Sequence, residues 1–207
     1  MNSACVLVFA RYPLPGEAKT RLIPALGPEG AAQLYRGLAE VTLAQARAIR
    51  PAVAIALWYS GAPEEALRAW LGDDLIYCPQ PEGDLGQRLT TALDWAFAQG
   101  YASALVVGTD CPGLDAAILT QGVTALARGA DCVLGPAQDG GYYLLGLREP
   151  QPLLFQDIAW STEVVLAQTV AQAQRLGLTP TYLPTLSDID TPEDLAHLPP
   201  SLHPADG

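Results

Sequence analysis

Short apolar runs alternate with amphipathic stretches along this chain, and that alternation sets the expected secondary structure. Ala4–Ala10 (ACVLVFA) is continuously apolar, as expected of a strand buried on both faces of a parallel sheet. After a loop rich in Pro and Gly, a helical pattern runs from about Pro28 to Ile49, with Leu34, Leu38, Val41 and Ala48 on one stripe. Pro28 suits the first turn of that helix. Ala52–Tyr59 reads as the second strand, Pro63–Leu71 as a helix, and Leu75–Tyr77 as a short strand. Asp84 opens the next helix, whose apolar stripe is Leu85, Leu89, Ala92, Leu93 and Ala96. Ala104–Gly108 is another buried strand, followed by a helix from about Asp115 to Arg128. Cys132–Gly135 and Tyr142–Leu147 flank an Asp139–Gly140–Gly141 turn. Ser161 or Thr162 caps a helix reaching about Leu176, Pro180–Leu183 is a late strand, and Thr191–Pro192–Glu193 starts a short terminal helix. Alternation of this kind predicts one α/β domain over residues 1–198, with a mostly parallel sheet and helices on both faces. From Pro199 the composition is that of a flexible tail, 199–207.

Composition narrows the function classes. The chain has 207 residues, half of them apolar, which suits one folded domain. Its 11 basic and 22 acidic side chains give a net charge of −11, and this excludes a broad basic face for nucleic acid or anionic lipid. A small phosphate-bearing ligand needs only a local cluster of donors. The longest apolar runs fall well short of the roughly 20 residues that span a bilayer. The N-terminus lacks a basic region before its apolar run, so no membrane association is expected and a cytoplasmic location is. The cysteines (Cys5, Cys78, Cys111, Cys132) form no C-x-x-C pair and are read as free thiols of a reducing compartment.

In open α/β sheets ligands sit at the carboxyl ends of the strands, so the loops after Ala10, after Gly108 and around Asp139 are the places to look. The first, RYPLPGEAKTRL (11–22), holds Arg11, Arg21 and the chain's single lysine, Lys19. Gly16 lets backbone approach a ligand, and Lys19 and Arg21 can neutralise a di- or triphosphate. Ala18 stands where a Walker loop requires Gly, and no G-x-G-x-x-G follows a strand. The second loop puts Asp110 at the end of a buried strand, where a carboxylate can bind Mg²⁺ or Mn²⁺. Neighbouring Cys111 is read as a packing residue, since no His or Lys adjoins it in sequence. The third places Asp139 with Gly140 and Gly141 on the same face, and Asp188 and Asp190 precede the terminal helix start. Both histidines, His197 and His203, lie at the C-terminal end, which argues against a histidine base or a His-ligated zinc.

Five segments in order carry a family resemblance: FARYPLPGEAKTRL (9–22), EGDLGQRL (82–89), GTDCPGLD (108–115), GPAQDGGYYLLGL (135–147) with WSTEVV (160–165), and SDIDTPEDL (187–195). Together they resemble the radical-SAM/selenodomain-associated transferase family, similar to small GT-A-type nucleotide-diphospho-sugar transferases. The Ala18–Leu22 loop is also similar to that of the 2-phospho-lactate guanylyltransferases. The resemblance implies a single Rossmann-like GT-A domain and a nucleotide site. Arg11, Gly16, Lys19, Arg21, Gly86 and Arg88 would then face nucleotide phosphates, and Asp110 would bind the metal. The second metal ligand lies among Asp139, Asp188 and Asp190. A similar segment in cytidylyltransferases of acidic sugars favours Asp190. Asp139 would bind acceptor or act as a base, alongside Gly140, Gly141, Tyr142, Trp160, Ser161 and Thr162. The leading expectation is a metal-dependent glycosyltransferase with a nucleotide-sugar donor and a small-molecule acceptor. The alternatives are a nucleotidyltransferase releasing pyrophosphate and a non-catalytic nucleotide-sugar-binding protein.

Overall fold

A computed structural model of the chain describes residues 3–202. Its strands are β1 (Ala4–Arg11), β2 (Val53–Ser60), β3 (Ile76–Pro79), β4 (Ser103–Val107), β5 (Cys132–Pro136), β6 (Tyr142–Leu147) and β7 (Pro180–Tyr182). They form one seven-stranded sheet in the order β3-β2-β1-β4-β6-β5-β7. Pairing is parallel except at β6, which runs antiparallel to both β4 and β5. The helices are α1 (Ile23–Ala48), α2 (Glu64–Leu71), α3 (Leu85–Ala98), α4 (Ala116–Ala127) and α5 (Val165–Arg175). The α/β expectation and the mostly parallel sheet are therefore what the chain adopts.

Because successive strand side chains point to opposite faces, the apolar strands supply two cores at once. On one face Val6, Val8, Ile55, Leu57 and Leu105 meet Leu43 and Ala46 of α1, Leu67 of α2, and Leu119 and Leu126 of α4. On the other, Cys5, Leu7, Ala56 and Val106 meet Leu89, Leu93 and Ala96 of α3 and Ala173 of α5. Gly122 lets α4 ride close on β4, since a Cβ there would lie 2.8 Å from Leu105. A third, smaller cluster joins Leu22, Leu34 and Leu38 to Ile189 and Leu198, pinning the C-terminal segment against the start of α1.

Local expectations hold at the starts of α1 and α3 and are corrected at several other points. Gly27 breaks helical geometry (φ 69°), so the regular part of α1 begins with Pro28 as its first-turn proline. Ala48 is exposed and Val41 only half-buried, because α1 turns its buried side through Thr42, Leu43 and Ala46. Leu85 is also exposed, although it lies on the predicted stripe of α3. Asp84 caps that helix in a full capping box with Gln87. Neither Ser161 nor Thr162 caps α5, whose first residue follows an uncapped Val164. The terminal helix is a 3₁₀ turn, Pro192–His197, capped by Thr191 with Asp194. Within the segment expected as a tail, Pro200–Leu202 form a further 3₁₀ turn and Leu202 packs on the third cluster. Residues 203–207 of that tail, His203 among them, lie outside the described residues.

Away from the strand ends, Asp74 ties α1 to the turn before β3. Arg47 donates to both of its carboxylate oxygens, at 3.0 and 2.7 Å, and Arg50 donates to Oδ2 at 2.6 Å. These guanidinium hydrogen bonds, Arg47 first, hold the Asp74 carboxyl below the usual carboxylate range. Its stabilisation is therefore present above about pH 4 and lost as pH falls through the depressed value. Asp74→Asn should lower stability at pH 7 by about 1 kcal/mol or less, the pair being solvent-exposed, and urea titrations should show that difference vanishing in acid. Leu105→Ala, by contrast, should cost about 2–5 kcal/mol at any pH, because it empties a core position under α4.

Candidate functional site

Every strand except β6 ends at one edge of the sheet, and β6 begins there. The loop after β1, the Gly108–Asp110 segment after β4, and the Ala137–Gly141 turn between β5 and β6 all open at this edge. The chain also changes direction here, since β2 lies on one side of β1 and β4 on the other. Such a switch point is where open α/β sheets bind ligands. A cavity of about 680 Å³ occupies it, large enough for a nucleotide with a small second substrate.

Lys19 is the electrostatic centre of the cavity. Its Nζ lies 2.5 Å from Asp110 Oδ1 and 3.4 Å from Asp190 Oδ1, and its side chain is only 5% exposed. Arg21 reaches the other oxygen of Asp190 at 2.6 Å while staying largely in solvent. Burial works against the Lys19 charge, but the carboxylates of Asp110 and Asp190 outweigh it and raise its pKa above the ordinary value. Arg11 lines the same wall and pairs with Glu17. The loop reaches this geometry through a left-handed backbone at Lys19 (φ 48°, ψ 48°), which starts the 3₁₀ turn Thr20–Leu22. Leu22 is fully buried in the third cluster, so the turn is anchored from below.

Asp190 is brought in from 171 residues away. Ile189, fully buried, donates its N–H to the Asp110 carbonyl at 2.9 Å, joining the two aspartate-bearing segments directly. Asp194 then accepts from the backbone N–H of Asp190 and Thr191 and from the Thr191 hydroxyl, fixing the turn. Two carboxylates thus converge on one cationic point. Among the described residues no three or more His, Cys, Asp or Glu side chains cluster to enclose a metal. Two carboxylates completed by substrate phosphates nonetheless suit Mg²⁺ or Mn²⁺, and the donors here are hard oxygens already gathered round a positive charge.

Asp139 and Asp188 line another part of the wall. Asp139 accepts from the Gly141 N–H at 2.8 Å, an Asx turn that aims its carboxylate. Asp188 has its pKa raised, by burial first and then by the charge of Asp139. Gly141, Tyr142, Trp160, Ser161 and Thr162 are also in the wall. Ser161 holds a left-handed φ of 64°, and Thr162 donates to the Ala159 carbonyl. Tyr142 presents ring rather than hydroxyl, because its phenol is buried and pushed up in pKa by that burial. Cys111 is a buried thiol whose pKa burial raises, so it packs and does not react.

Four residues expected at the site stand outside the cavity wall. Arg88 donates to the Gly83 carbonyl at 3.0 Å and to Gln80 at 3.4 Å, which holds it along the turn before α3. Gly86 is buried beneath Trp160, where a Cβ would come within 3.1 Å of the indole, so it lets Trp160 pack closely on the start of α3. Gly16 supplies a left-handed turn (φ 82°) in the basic loop. Gly140 (φ 88°) allows the Glu163 backbone to pass against it, and its carbonyl accepts from Leu166 at 2.9 Å. Tyr35 of α1 was not singled out by any motif. Its hydroxyl accepts from the Arg11 N–H at 2.8 Å and from the Thr109 hydroxyl at 3.2 Å, tying the ends of β1 and β4 together behind Lys19. The one sequence signal for it is a polar-tipped aromatic on the buried stripe of α1. Leu85, displaced from the core, likewise faces the cavity.

Comparison with known proteins agrees with the fold. A protein from Desulfovibrio desulfuricans G20, provisionally assigned as a nucleotide-diphospho-sugar transferase, is 33% identical over 100% of this chain and 90% of its own, with a TM-score of 0.90. The 4-diphosphocytidyl-2C-methyl-D-erythritol synthase of Anaerococcus prevotii DSM 20548 shares the fold at 12% identity, covering 95% and 94% of the two chains (TM-score 0.63). Glucosyl-3-phosphoglycerate synthase of Mycobacterium tuberculosis, in complex with Mn²⁺, UDP and phosphoglyceric acid, does so at 12% identity over 95% and 74% (TM-score 0.56). No curated protein matches the sequence significantly. The family described as "Uncharacterized protein conserved in bacteria (DUF2064)" matches residues 42–162. With more than half of the chain inside that match, this protein belongs to the DUF2064 family, built on a nucleotide-diphospho-sugar transferase fold.

Proposed function

We propose that the chain is a divalent-metal-dependent glycosyltransferase, taking a nucleotide-sugar donor and a small-molecule acceptor in the cavity at the carboxyl edge. One observation carries this reading. A single cavity holds two carboxylates gathered on Lys19 and a third, Asp139, that has no cation partner among the described residues. The two groups suit the two halves of a glycosyl transfer. Asp110 and Asp190 would hold Mg²⁺ or Mn²⁺, which when bound offsets the charge of the departing nucleoside diphosphate. Lys19, Arg21 and Arg11 bind the diphosphate oxygens from the β1 side. Asp139, aimed by its Asx turn, accepts the proton of an acceptor hydroxyl. Trp160 and the Tyr142 ring give an apolar surface against which a sugar face can lie. The fold shared with the Mycobacterium tuberculosis synthase is compatible with this chemistry.

Nucleotidyl transfer is the second reading, and the three basic side chains of the loop after β1 favour it. They would suit a triphosphate, and a phosphorylated acceptor would need no base. The Anaerococcus prevotii synthase shares the fold over nearly its whole length.

Melting curves with Mg²⁺ or Mn²⁺ against nucleoside triphosphates and nucleotide sugars, followed by product analysis, separate the readings. A nucleotide sugar should raise the Tm only with metal, and release its nucleoside diphosphate when acceptor is present. Pyrophosphate released from a triphosphate would select the second reading, and no stabilisation by any nucleotide would overturn both. Asp110→Asn should abolish the metal-dependent rise in Tm. Asp139→Asn should leave nucleotide affinity within a few-fold while lowering kcat by about 10²–10⁴-fold, the usual range for a general base.

A further inference from the structure

We propose that Lys19 is a built-in counter-cation holding the divalent-metal position until a phosphate ligand draws it away, so that nucleotide and metal bind synergistically. This inference rests on the reading of Asp110 and Asp190 as the metal carboxylates. Their geometry around Lys19 makes it specific. The Nζ sits between carboxylates delivered by two different segments, at 2.5 and 3.4 Å, and almost nothing of the side chain is exposed. A divalent ion held by Asp110 and Asp190 would compete with the ammonium for the same pair of carboxylates, and the two positive charges would repel each other at that separation. Each cation therefore weakens the hold of the other.

Lys19 is also built to move. Lysine carries a compact charge on a flexible four-carbon stem. Its left-handed backbone is a costly conformation for a side-chain-bearing residue, and the ion pairs help to hold it. Arg11 and Arg21 flank it in the cavity wall, where phosphate oxygens would give the displaced ammonium a new partner. Among the described residues Arg21 pairs with Asp190 alone, through its other oxygen, and can stay in place. Phosphate thus frees the carboxylates for metal, and metal frees Lys19 for phosphate. Linkage makes the effect equal in both directions.

Binding of Mn²⁺ alone to the full-length protein, followed by electron paramagnetic resonance, tests this without any turnover. Lys19→Met should bind Mn²⁺ about tenfold or more tighter than wild type, within the range of typical coupling energies. Arg21→Gln removes an equal charge from Asp190 without vacating the shared position, and should tighten binding less than threefold. Equal tightening by both variants, or none by Lys19→Met while wild type binds Mn²⁺, would overturn the exchange and leave the metal site standing. If Lys19→Met binds no Mn²⁺, or still binds it after Asp110→Asn is added, the metal reading itself fails and the inference with it.

A second measurement needs no variant. The chain has a single lysine, so selective ¹³Cε-lysine labelling gives one side-chain signal. That signal should shift when Mg²⁺ and inorganic pyrophosphate are added together. A signal unmoved at saturation would overturn the proposal even if Lys19→Met failed to fold.

Discussion

The ion pair between Lys19 and the carboxylates of Asp110 and Asp190 is the interaction on which the candidate site depends. It closes three chain segments onto one point: the loop after β1, the end of β4, and a turn near the C-terminus. Exposed ion pairs contribute little, but the Lys19 side chain is almost wholly enclosed, so its contact with the aspartates is only weakly screened. Losing either partner would leave charge stranded in a partly buried place. The surrounding packing is arranged accordingly. Leu22 and Ile189 are buried in the same small cluster, and each lies next to, or close to, a member of the ion pair.

That cluster explains why a chain whose core lies on the two faces of its sheet carries a third group of buried side chains. The two main cores hold the strands in register and stack the helices. The third cluster seals Leu195, Leu198 and Leu202 against α1, and this brings Asp190 to the mouth of the cavity. Tyr35 completes the arrangement from below, its one hydroxyl accepting from the ends of both β1 and β4. The strands thus supply a rigid floor, while loops supply the charged groups. That is the usual division of labour in α/β folds.

Much of this was legible in the sequence. Continuous apolar runs at Ala4–Ala10 and Ala104–Gly108 are unambiguous because a strand buried on both faces admits no polar positions. Asp84, Asp115 and Thr191 announced helix starts by local side-chain to backbone bonding, and all three act as caps. Lys19 and Asp110 stood out because a concentration of charge at a strand's carboxyl end has few structural explanations. Other positions could not be read in this way. Gly86 and Arg88 belong to a segment with a recognisable pattern. What Gly86 touches, however, is Trp160, more than seventy positions later, and Arg88 lies along the turn before α3. Leu85 fits the helical stripe by spacing, but as the first residue of α3 it is exposed and lines the cavity.

Periodicity, capping and turn chemistry are local, and they by themselves determined the α/β class, the order of elements and the edge at which charged loops gather. The pairing of Lys19 with two aspartates 91 and 171 residues away is not local. It rests on the Tyr35 hydroxyl behind the loop and on the docking of Leu195, Leu198 and Leu202 against α1, a partner that their own helical spacing does not name. Only the tertiary structure decided which of the chain's many acids face a cation and which face solvent. Charge–charge energies fall with distance and burial, and neither quantity is written in the sequence.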